Sequence, residues 1–307
     1  MDIAIIGAGA LGGFYGSRLH AAGHRVHLLA RSDAAAGHMA GFACRSPLGD
    51  VTIPGDRVYS HSADLPPCDL VIVSLKTVDN HRLKELLPAC LADTGVVLVL
   101  QNGLGVEEEA AAVVGGERVY GGLCFLCANK VAPAQVEHLA YGKVSLGRHG
   151  INGQAMGIDE PLRRIGQAFM DGGIAVSLTE DLTAARWQKL VWNIPYNGLC
   201  TVLDCDTQVL TTHSDTRMLV DELMQEVVQG AAACGKTISA KFVQEMVHNT
   251  DAMGPYLPSM LLDRRAGRAM EIEHMFGNPL RSAMVGGTIL PRIDCLYRQL
   301  RFINSRS

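Results

Sequence analysis

The chain has 307 residues, of which 48% are hydrophobic and 19% are charged, and its formal net charge is −4 at pH 7. This composition is typical of a globular protein and unlike that of a disordered chain. A net negative charge argues against nucleic-acid binding, which usually needs a basic surface. No apolar run approaches the ~20 residues of a membrane-spanning helix, so we expect no membrane partner.

The N-terminus and the cysteines predict a cytoplasmic location. Met1 and Asp2 lead directly into an apolar strand pattern, without the basic leader and cleavage site of a secretory signal. The nine cysteines are scattered along the chain, as expected of reduced thiols. Cys124 and Cys127 form a C-x-x-C pair, but their apolar, strand-like surroundings favour buried thiols over a redox site. We expect no metal site.

A glycine-rich turn near the N-terminus predicts a dinucleotide-binding site. An apolar strand at residues 3–6 runs into Gly7-Ala8-Gly9-Ala10-Leu11-Gly12, and an alanine-rich helical pattern and a second strand follow. In this context G-x-G-x-x-G is typical of a Rossmann-type unit. Gly7 permits the tight turn, Gly9 lets the backbone approach a pyrophosphate, and Gly12 allows helix and strand to pack closely. The N–H groups at the start of the helix then bind the phosphates.

The residues after the second strand, at 25–30, favour NADPH over NADH. An acidic residue at this position holds the ribose 2′-hydroxyl of NADH. The chain instead reads Ala30-Arg31-Ser32, and an arginine suits the 2′-phosphate of NADPH. Asp33 follows closely, so NADH stays an alternative at this point.

Strand and helix patterns alternate to about residue 180, which predicts a parallel sheet with helices on both faces. Further strands are predicted at 69–75, 96–100 and 174–178, helices at 79–87 and 161–170, and hairpins within 42–53 and 135–146. Ligands of such sheets bind beyond the carboxyl ends of the strands. Lys76 and Asn102 lie at two of these ends, so we expect both near the cofactor, although Asn-Gly is also a common turn pair.

The second half of the chain has a helical pattern. We therefore predict an α/β protein with a Rossmann-type dinucleotide-binding domain at 1–180 and an all-helical domain at 181–307, with helices at 183–199, 215–234, 239–249, 271–286 and 291–303. Lys189, Asn193 and Asn197 recur every fourth residue and share a helix face, which indicates the polar wall of a site. Pro195 can kink this helix and leaves the place of Asn197 open. The alternative is a lysine that reaches solvent and asparagines that cap or bend the helix.

The order and spacing of these motifs resemble the ketopantoate reductase family. The resemblance rests on the glycine turn, on Gln101-Asn102-Gly103-Leu104-Gly105, on Trp187-Gln188-Lys189-Leu190 with Asn193 and Asn197, and on Ser259-Met260-Leu261-Leu262-Asp263 running to Glu271-Ile272-Glu273. It covers essentially the whole chain. It implies an NADP-dependent oxidoreductase that reduces the 2-keto group of ketopantoate to pantoate, in pantothenate and coenzyme A biosynthesis.

The resemblance also implies roles for individual residues, carried over by matching position. Lys189 and Glu271 would be catalytic, with Lys189 as the proton donor, and the substrate would meet Asn102, Asn193, Asn197 and Ser259. The cofactor would meet Gly7, Ala8, Gly9, Ala10, Leu11, Gly12, Arg31, Lys76, Asn102, Ala128 and Glu271. The chemistry agrees, because an ammonium group aimed at a ketone oxygen stabilises the negative charge formed during hydride transfer and supplies the proton.

Two alternatives remain open from the sequence. One is a related NADPH-dependent reductase of another branched 2-keto or 3-keto acid. The other is a non-catalytic NADPH-binding regulator, against which the presence of Lys189, Ser259 and Glu271 argues, since a sensor needs none of them. The apolar helices near the C-terminus suit either a homodimer interface or internal packing.

Overall fold

The protein divides into two compact units. The structure is a computed structural model that describes residues 1–306. One unit comprises Met1–Gln101 and Val106–Leu182, and the other comprises Asn102–Gly105 and the chain from Thr183 onward. The predicted boundary lay between residues 180 and 181, and the sequence did not predict that the short segment Asn102–Gly105 groups with the second unit.

The first unit is built on a ten-stranded sheet, and its central strands are parallel. The strands are β1 (Asp2–Ile6), β2 (Arg25–Leu29), β3 (Phe42–Arg45), β4 (Val51–Ile53), β5 (Val58–Tyr59), β6 (Cys68–Val73), β7 (Leu91–Val99), β8 (Val119–Ala132), β9 (Gln135–Arg148) and β10 (Val176–Thr179). They are ordered β4-β3-β9-β8-β7-β6-β1-β2-β5, with β10 beside β9. The pairs from β5 to β8 along this order are all parallel.

Helices cover both faces of this sheet. They are α1 (Ala10–Ala21), α2 (Ala34–Ala40), α3 (Leu83–Cys90), α4 (Val106–Val114) and α5 (Glu160–Asp171). Side chains alternate along β1, so that Ile3 and Ile5 join the core beneath α1 and α5, while Ala4 and Ile6 join the core beneath α3 and α4. Burial on both faces explains why these strands read as continuous apolar runs.

One predicted hairpin is correct and the other is wrong. β3 and β4 pair antiparallel, as predicted for residues 42–53. The predicted hairpin within 135–146 is instead the single strand β9, which pairs antiparallel with β8 along nearly its whole length. Tyr141 and Gly142 have positive φ values of 66° and 114°, and the register shifts beside them. The residues read as a turn therefore form a bulge within one strand.

The second unit is helical. Its helices are α6 (Leu182–Leu203), α7 (Thr207–Thr212), α8 (Ser214–Ala233), α9 (Ala240–Met253), α10 (Ser259–Arg265), α11 (Asn278–Val285) and α12 (Pro291–Asn304), with a π-helical turn at Glu273–Gly277. Its hydrophobic core includes Trp187 and Tyr196 of α6, Met224 of α8 and Ile293 of α12. The helix predicted at 271–286 is observed as a π turn followed by α11.

Among the described residues, no helix is both long and apolar enough to cross a membrane.

The predicted fold class is confirmed. The first unit carries an α/β sheet with a parallel centre, and the second unit is helical. Short helices at 34–40 and 207–212 and the helix at 106–114 were not predicted from the sequence.

Candidate active site

The glycine turn between β1 and α1 has three glycines with different steric needs. Gly7 has φ +103°, and a Cβ there would lie 2.5 Å from the backbone nitrogen of Leu75. A Cβ at Gly12 would overlap the carbonyl oxygen of Gly7 and the hydroxyl of Ser74. A Cβ at Gly9 would meet no atom within 4 Å. Packing thus requires glycine at positions 7 and 12, whereas Gly9 leaves open space beside the backbone.

The N-terminus of α1 faces this space without a capping side chain. Gly9 is the N-cap and has no side chain to accept a hydrogen bond from the first turn, and that turn contains no acidic residue. The first N–H groups of a helix have no partner within the helix, and the helix dipole places partial positive charge there. Open space, free donors and positive potential together suit a phosphate group.

Ser74 ties the end of β6 to the glycine turn, and Gln101 ties the end of β7 to the segment that follows β6. The hydroxyl of Ser74, directly after β6, donates to the carbonyl oxygen of Gly7 over 2.9 Å. The amide of Gln101, after β7, donates to the carbonyl oxygen of Leu75 over 2.8 Å and to the side-chain oxygen of Asn80 over 2.6 Å. These bonds fix the segment that carries Lys76. Polar residues directly after apolar strands were the available signal, and Ser74 was missed.

The loop after β2 presents Arg31 and hides Asp33. The Arg31 side chain is 72% exposed, and its guanidinium lies 4.0 Å from the carboxylate of Asp79. The Asp33 carboxylate is buried and accepts hydrogen bonds from the ammonium of Lys130 over 2.6 Å and from the hydroxyl of Ser32 over 3.1 Å. Of these two charged residues after β2, Arg31 is accessible and Asp33 is buried.

In the second unit, Lys189 and Asn102 are in direct contact. The Lys189 ammonium donates a hydrogen bond to the side-chain oxygen of Asn102 over 2.8 Å. α6 continues as a helix through Pro195 to Leu203, so Lys189, Asn193 and Asn197 belong to one helix. Lys189 is half-buried and both asparagines are buried. This arrangement does not fit a lysine that reaches into solvent beside two capping asparagines.

The segment Asn102–Gly105 is held by the residues around the π turn. The backbone N–H of Leu104 donates to the carbonyl oxygen of His274 over 2.8 Å, and the Asn278 amide donates to the carbonyl oxygen of Leu104 over 2.7 Å. Gly103 has φ +105°, and a Cβ there would lie 2.6 Å from His274. These contacts fix the position of Asn102. His274 and Asn278 were missed from the sequence, which carries no local signal for them.

Asn197 links α6 to the start of α10. Its side-chain oxygen accepts a hydrogen bond from the backbone N–H of Met260 over 3.3 Å, next to the exposed Ser259. Glu271 is half-buried and lies just before the π turn. The second unit thus contains the Lys189–Asn102 pair and the Asn197–Met260 link.

Two further observations concern proton donors and metal ligands. Burial raises the pKa of Tyr196 to about 12, so its hydroxyl is a weak proton donor compared with an ammonium group. Among residues 1–306, no cluster of three or more His, Cys, Asp or Glu side chains is arranged to hold a metal ion.

Comparisons with known proteins cover almost the whole chain. The family model for the ketopantoate reductase PanE/ApbA matches residues 3–150, and the model for its C-terminal part matches residues 181–304. A 2-dehydropantoate 2-reductase from Nostoc is 46% identical over 304 residues, which are 99% of this chain and 95% of that protein.

Solved structures give the same result. The 2-dehydropantoate 2-reductase of Geobacter metallireducens superimposes with a TM-score of 0.93 at 40% identity, covering 98% of this chain and 99% of the other. The enzyme of the same description from Methylococcus capsulatus gives a TM-score of 0.89 at 33% identity, covering 100% and 97%.

Proposed function

Because the chain belongs to the ketopantoate reductase family, we propose that it reduces 2-dehydropantoate to pantoate with NADPH and that Lys189 donates the proton. The reaction would serve pantothenate and coenzyme A biosynthesis. The observation that carries the assignment of Lys189 is its 2.8 Å hydrogen bond to Asn102. This bond directs an ammonium group that is half-buried instead of solvated.

The residues of the first unit fit a dinucleotide. The space beside Gly9 admits a pyrophosphate close to the backbone, and the uncapped start of α1 supplies N–H donors to it. We assign the phosphate contacts to Gly7, Ala8, Gly9, Ala10, Leu11 and Gly12, and further cofactor contacts to Arg31, Lys76, Asn102, Ala128 and Glu271. NADPH supplies the hydride for the reduction when it is bound.

Lys189 is suited to stabilise the negative charge that forms on the ketone oxygen during the reaction. A ketone oxygen gains negative charge as its carbon is reduced, and an ammonium group hydrogen-bonded to that oxygen stabilises the charge and delivers a proton. The bond to Asn102 restricts the rotamers of a side chain that is otherwise flexible. Since the Asn102 oxygen is neutral, it orients the ammonium without cancelling its charge.

Neutral polar side chains on α6 and at the start of α10 are suited to bind the substrate. We assign Asn193, Asn197 and Ser259 to the carboxylate and hydroxyl groups of the substrate, because amides and hydroxyls bind both without adding charge. Asn197 also holds the backbone of Met260, so it places Ser259 as well. Glu271 is proposed to assist Lys189.

The test is NADPH oxidation, followed by its absorbance, with 2-dehydropantoate and a panel of other 2-keto acids. Lys189→Ala should lower kcat by roughly 10²–10⁴-fold, the usual contribution of a general acid, while NADPH still binds. Lys241→Ala is the matched control, because that lysine is 85% exposed and pairs only loosely with Glu245 at 3.8 Å. Normal turnover by Lys189→Ala would show that the assignment is wrong.

The substrate panel separates the remaining alternatives. A higher kcat/KM for another keto acid than for 2-dehydropantoate would indicate the related reductase. Tight NADPH binding without turnover of any keto acid would indicate the non-catalytic regulator.

We further propose that the protein acts in the cytoplasm as a homodimer. The cysteines in the described part of the chain are all free thiols, as expected in a reducing compartment. The second unit exposes the large apolar side chains of Met284, Val285, Ile289 and Phe302, which a second copy would cover. Cell fractionation tests the location. Sedimentation tests the dimer, and a monomer at micromolar concentration would refute it.

A further inference from the structure

The buried carboxylate of Asp33 pairs with the exposed Lys130 in the loop after β2, where the first unit is proposed to distinguish the two nicotinamide cofactors. We propose that Lys130 is a specificity-determining residue, which engages the Asp33 carboxylate and so withholds it from the adenosine ribose of the cofactor. The enzyme then selects NADPH through Arg31. This inference rests on the proposed use of NADPH and adds the reason why an acidic residue beside the site does not reverse the preference.

The Asp33 carboxylate is close to the Lys130 ammonium and is itself buried. The Lys130 ammonium lies 2.6 Å from Oδ1 of Asp33, the Asp33 side chain is 4% exposed, and the Lys130 side chain is 37% exposed. The Ser32 hydroxyl donates to the same carboxylate oxygen over 3.1 Å. A charge-assisted hydrogen bond of this length to a buried carboxylate is among the stronger polar contacts in proteins. The carboxylate is therefore held away from the exposed face of the loop.

The charge of Asp33 explains why the pairing matters. A free carboxylate after the second strand accepts hydrogen bonds from the ribose hydroxyls of NADH and repels the 2′-phosphate of NADPH. Pairing with Lys130 cancels that charge. Arg31, exposed two residues earlier and 4.0 Å from its nearest carboxylate, remains the accessible cation. The loop therefore offers positive charge to a phosphate although it contains one acid and one base.

Lys130 reaches this loop through the long β8–β9 pair. Lys130 lies near the end of β8, opposite Val136 of β9, and is 97 residues from Asp33 along the chain. The register is regular from Ala128 to Lys130, so these two residues point to the same face of β8. Since Ala128 is proposed to meet the cofactor, the strand brings Lys130 to the same side of the sheet.

Direct binding of the two cofactors to the intact protein tests the proposal. Dissociation constants for NADPH and NADH are measured by nicotinamide fluorescence. Lys130→Met should weaken NADPH binding about tenfold or more, because the released carboxylate repels the 2′-phosphate. NADH binding should stay unchanged or become tighter, because the same carboxylate can accept hydrogen bonds from the ribose. Lys143→Met is the matched control: it removes the same charge from an exposed lysine on β9 and should change neither constant. Equal weakening of both cofactors, or of neither, would overturn the proposal.

Asp33→Asn provides a second test that does not leave a buried charge unpaired. The amide keeps an acceptor oxygen for Lys130 and Ser32, so NADPH should bind as tightly as before or more tightly, and NADH should bind unchanged. The double variant Asp33→Asn/Lys130→Met should recover the NADPH affinity lost in Lys130→Met. Weaker NADH binding by Asp33→Asn would mean that the carboxylate itself binds the ribose, which contradicts the proposal.

These binding measurements are independent of turnover. A wild-type protein that prefers NADPH but reduces no keto acid would refute the proposed function and leave the role of Lys130 intact. If the wild-type protein reduces 2-dehydropantoate but Lys130→Met keeps the cofactor preference, the proposed function stands. The role of Lys130 is then refuted.

Discussion

Gly9→Ala should weaken NADPH binding without lowering the stability of the unliganded protein. The added methyl group points into space where no protein atom lies within 4 Å. The backbone there has φ −86° and ψ −163°, an extended conformation that alanine also adopts. The unliganded protein should therefore tolerate the change, whereas a pyrophosphate seated against the backbone should not.

The substitution should raise the free energy of unfolding and weaken the binding of NADPH. Replacing glycine by alanine in a permitted conformation stabilises a protein by about 0.4–1 kcal/mol, because the unfolded chain loses freedom. A methyl group forced into an occupied, close-packed contact costs about 1–3 kcal/mol. That cost corresponds to roughly a fivefold to 150-fold rise in the dissociation constant of NADPH.

Gly12→Ala is the matched comparison, because the same methyl group there meets protein atoms. Its Cβ would lie 2.9 Å from the Cγ2 of Ile5, where ordinary contact begins at 3.4 Å, and it would overlap two oxygen atoms more closely. The free energy of unfolding should therefore fall by about 1–3 kcal/mol. Urea denaturation gives the stabilities, and fluorescence titration gives the affinities.

Two results would refute this reasoning. One is a Gly9→Ala protein that binds NADPH with wild-type affinity, since the open space would then have no role in binding phosphate. The other is a Gly9→Ala protein destabilised as much as Gly12→Ala, since the space beside Gly9 would then be filled by protein.

Three further predictions concern other parts of the molecule. Arg31→Ala should raise the dissociation constant of NADPH roughly tenfold or more and that of NADH much less, because only NADPH carries the 2′-phosphate; equal losses in fluorescence titrations would contradict this role. Glu226→Ala should lower the free energy of unfolding by about 2–4 kcal/mol in urea, because the buried carboxylate accepts hydrogen bonds from backbone N–H groups at the start of α12. The exposed Glu222→Ala should have little effect and serves as its control. Burial raises the pKa of the Cys68 and Cys90 thiols to about 12 from 9.0. The native state therefore keeps protons that the unfolded chain loses, and stability should fall from about pH 9 toward pH 12, with a smaller fall in Cys90→Ala.

The cofactor-binding half of the fold was readable from the sequence because its signals are local. A glycine turn between a strand and a helix needs only about thirty residues of context. The different demands on Gly7, Gly9 and Gly12 follow from backbone geometry that is the same wherever the turn occurs. Strands buried on both faces give continuous apolar runs, which made β1, β6 and β7 recognisable.

Features that depend on distant residues were not readable. A turn and a bulge both use positive φ values, so Tyr141 and Gly142 look alike in either case, and only pairing with β8 distinguishes the two. The site has the same limitation. Lys189 and Asn102 were both identified, but they are 87 residues apart along the chain. Their hydrogen bond depends on the contacts that Leu104, in the segment Asn102–Gly105, makes with His274 and Asn278.

The assignment of Asn102–Gly105 to the second unit has a consequence for protein engineering. The chain leaves the first unit briefly after Gln101, returns at Val106, and leaves again after Leu182. A chimaera that exchanges everything beyond Leu182 with a relative keeps its own Asn102 and Leu104 but receives foreign counterparts of His274 and Asn278. Recombination between relatives should therefore succeed only when the short segment is transplanted together with the C-terminal half.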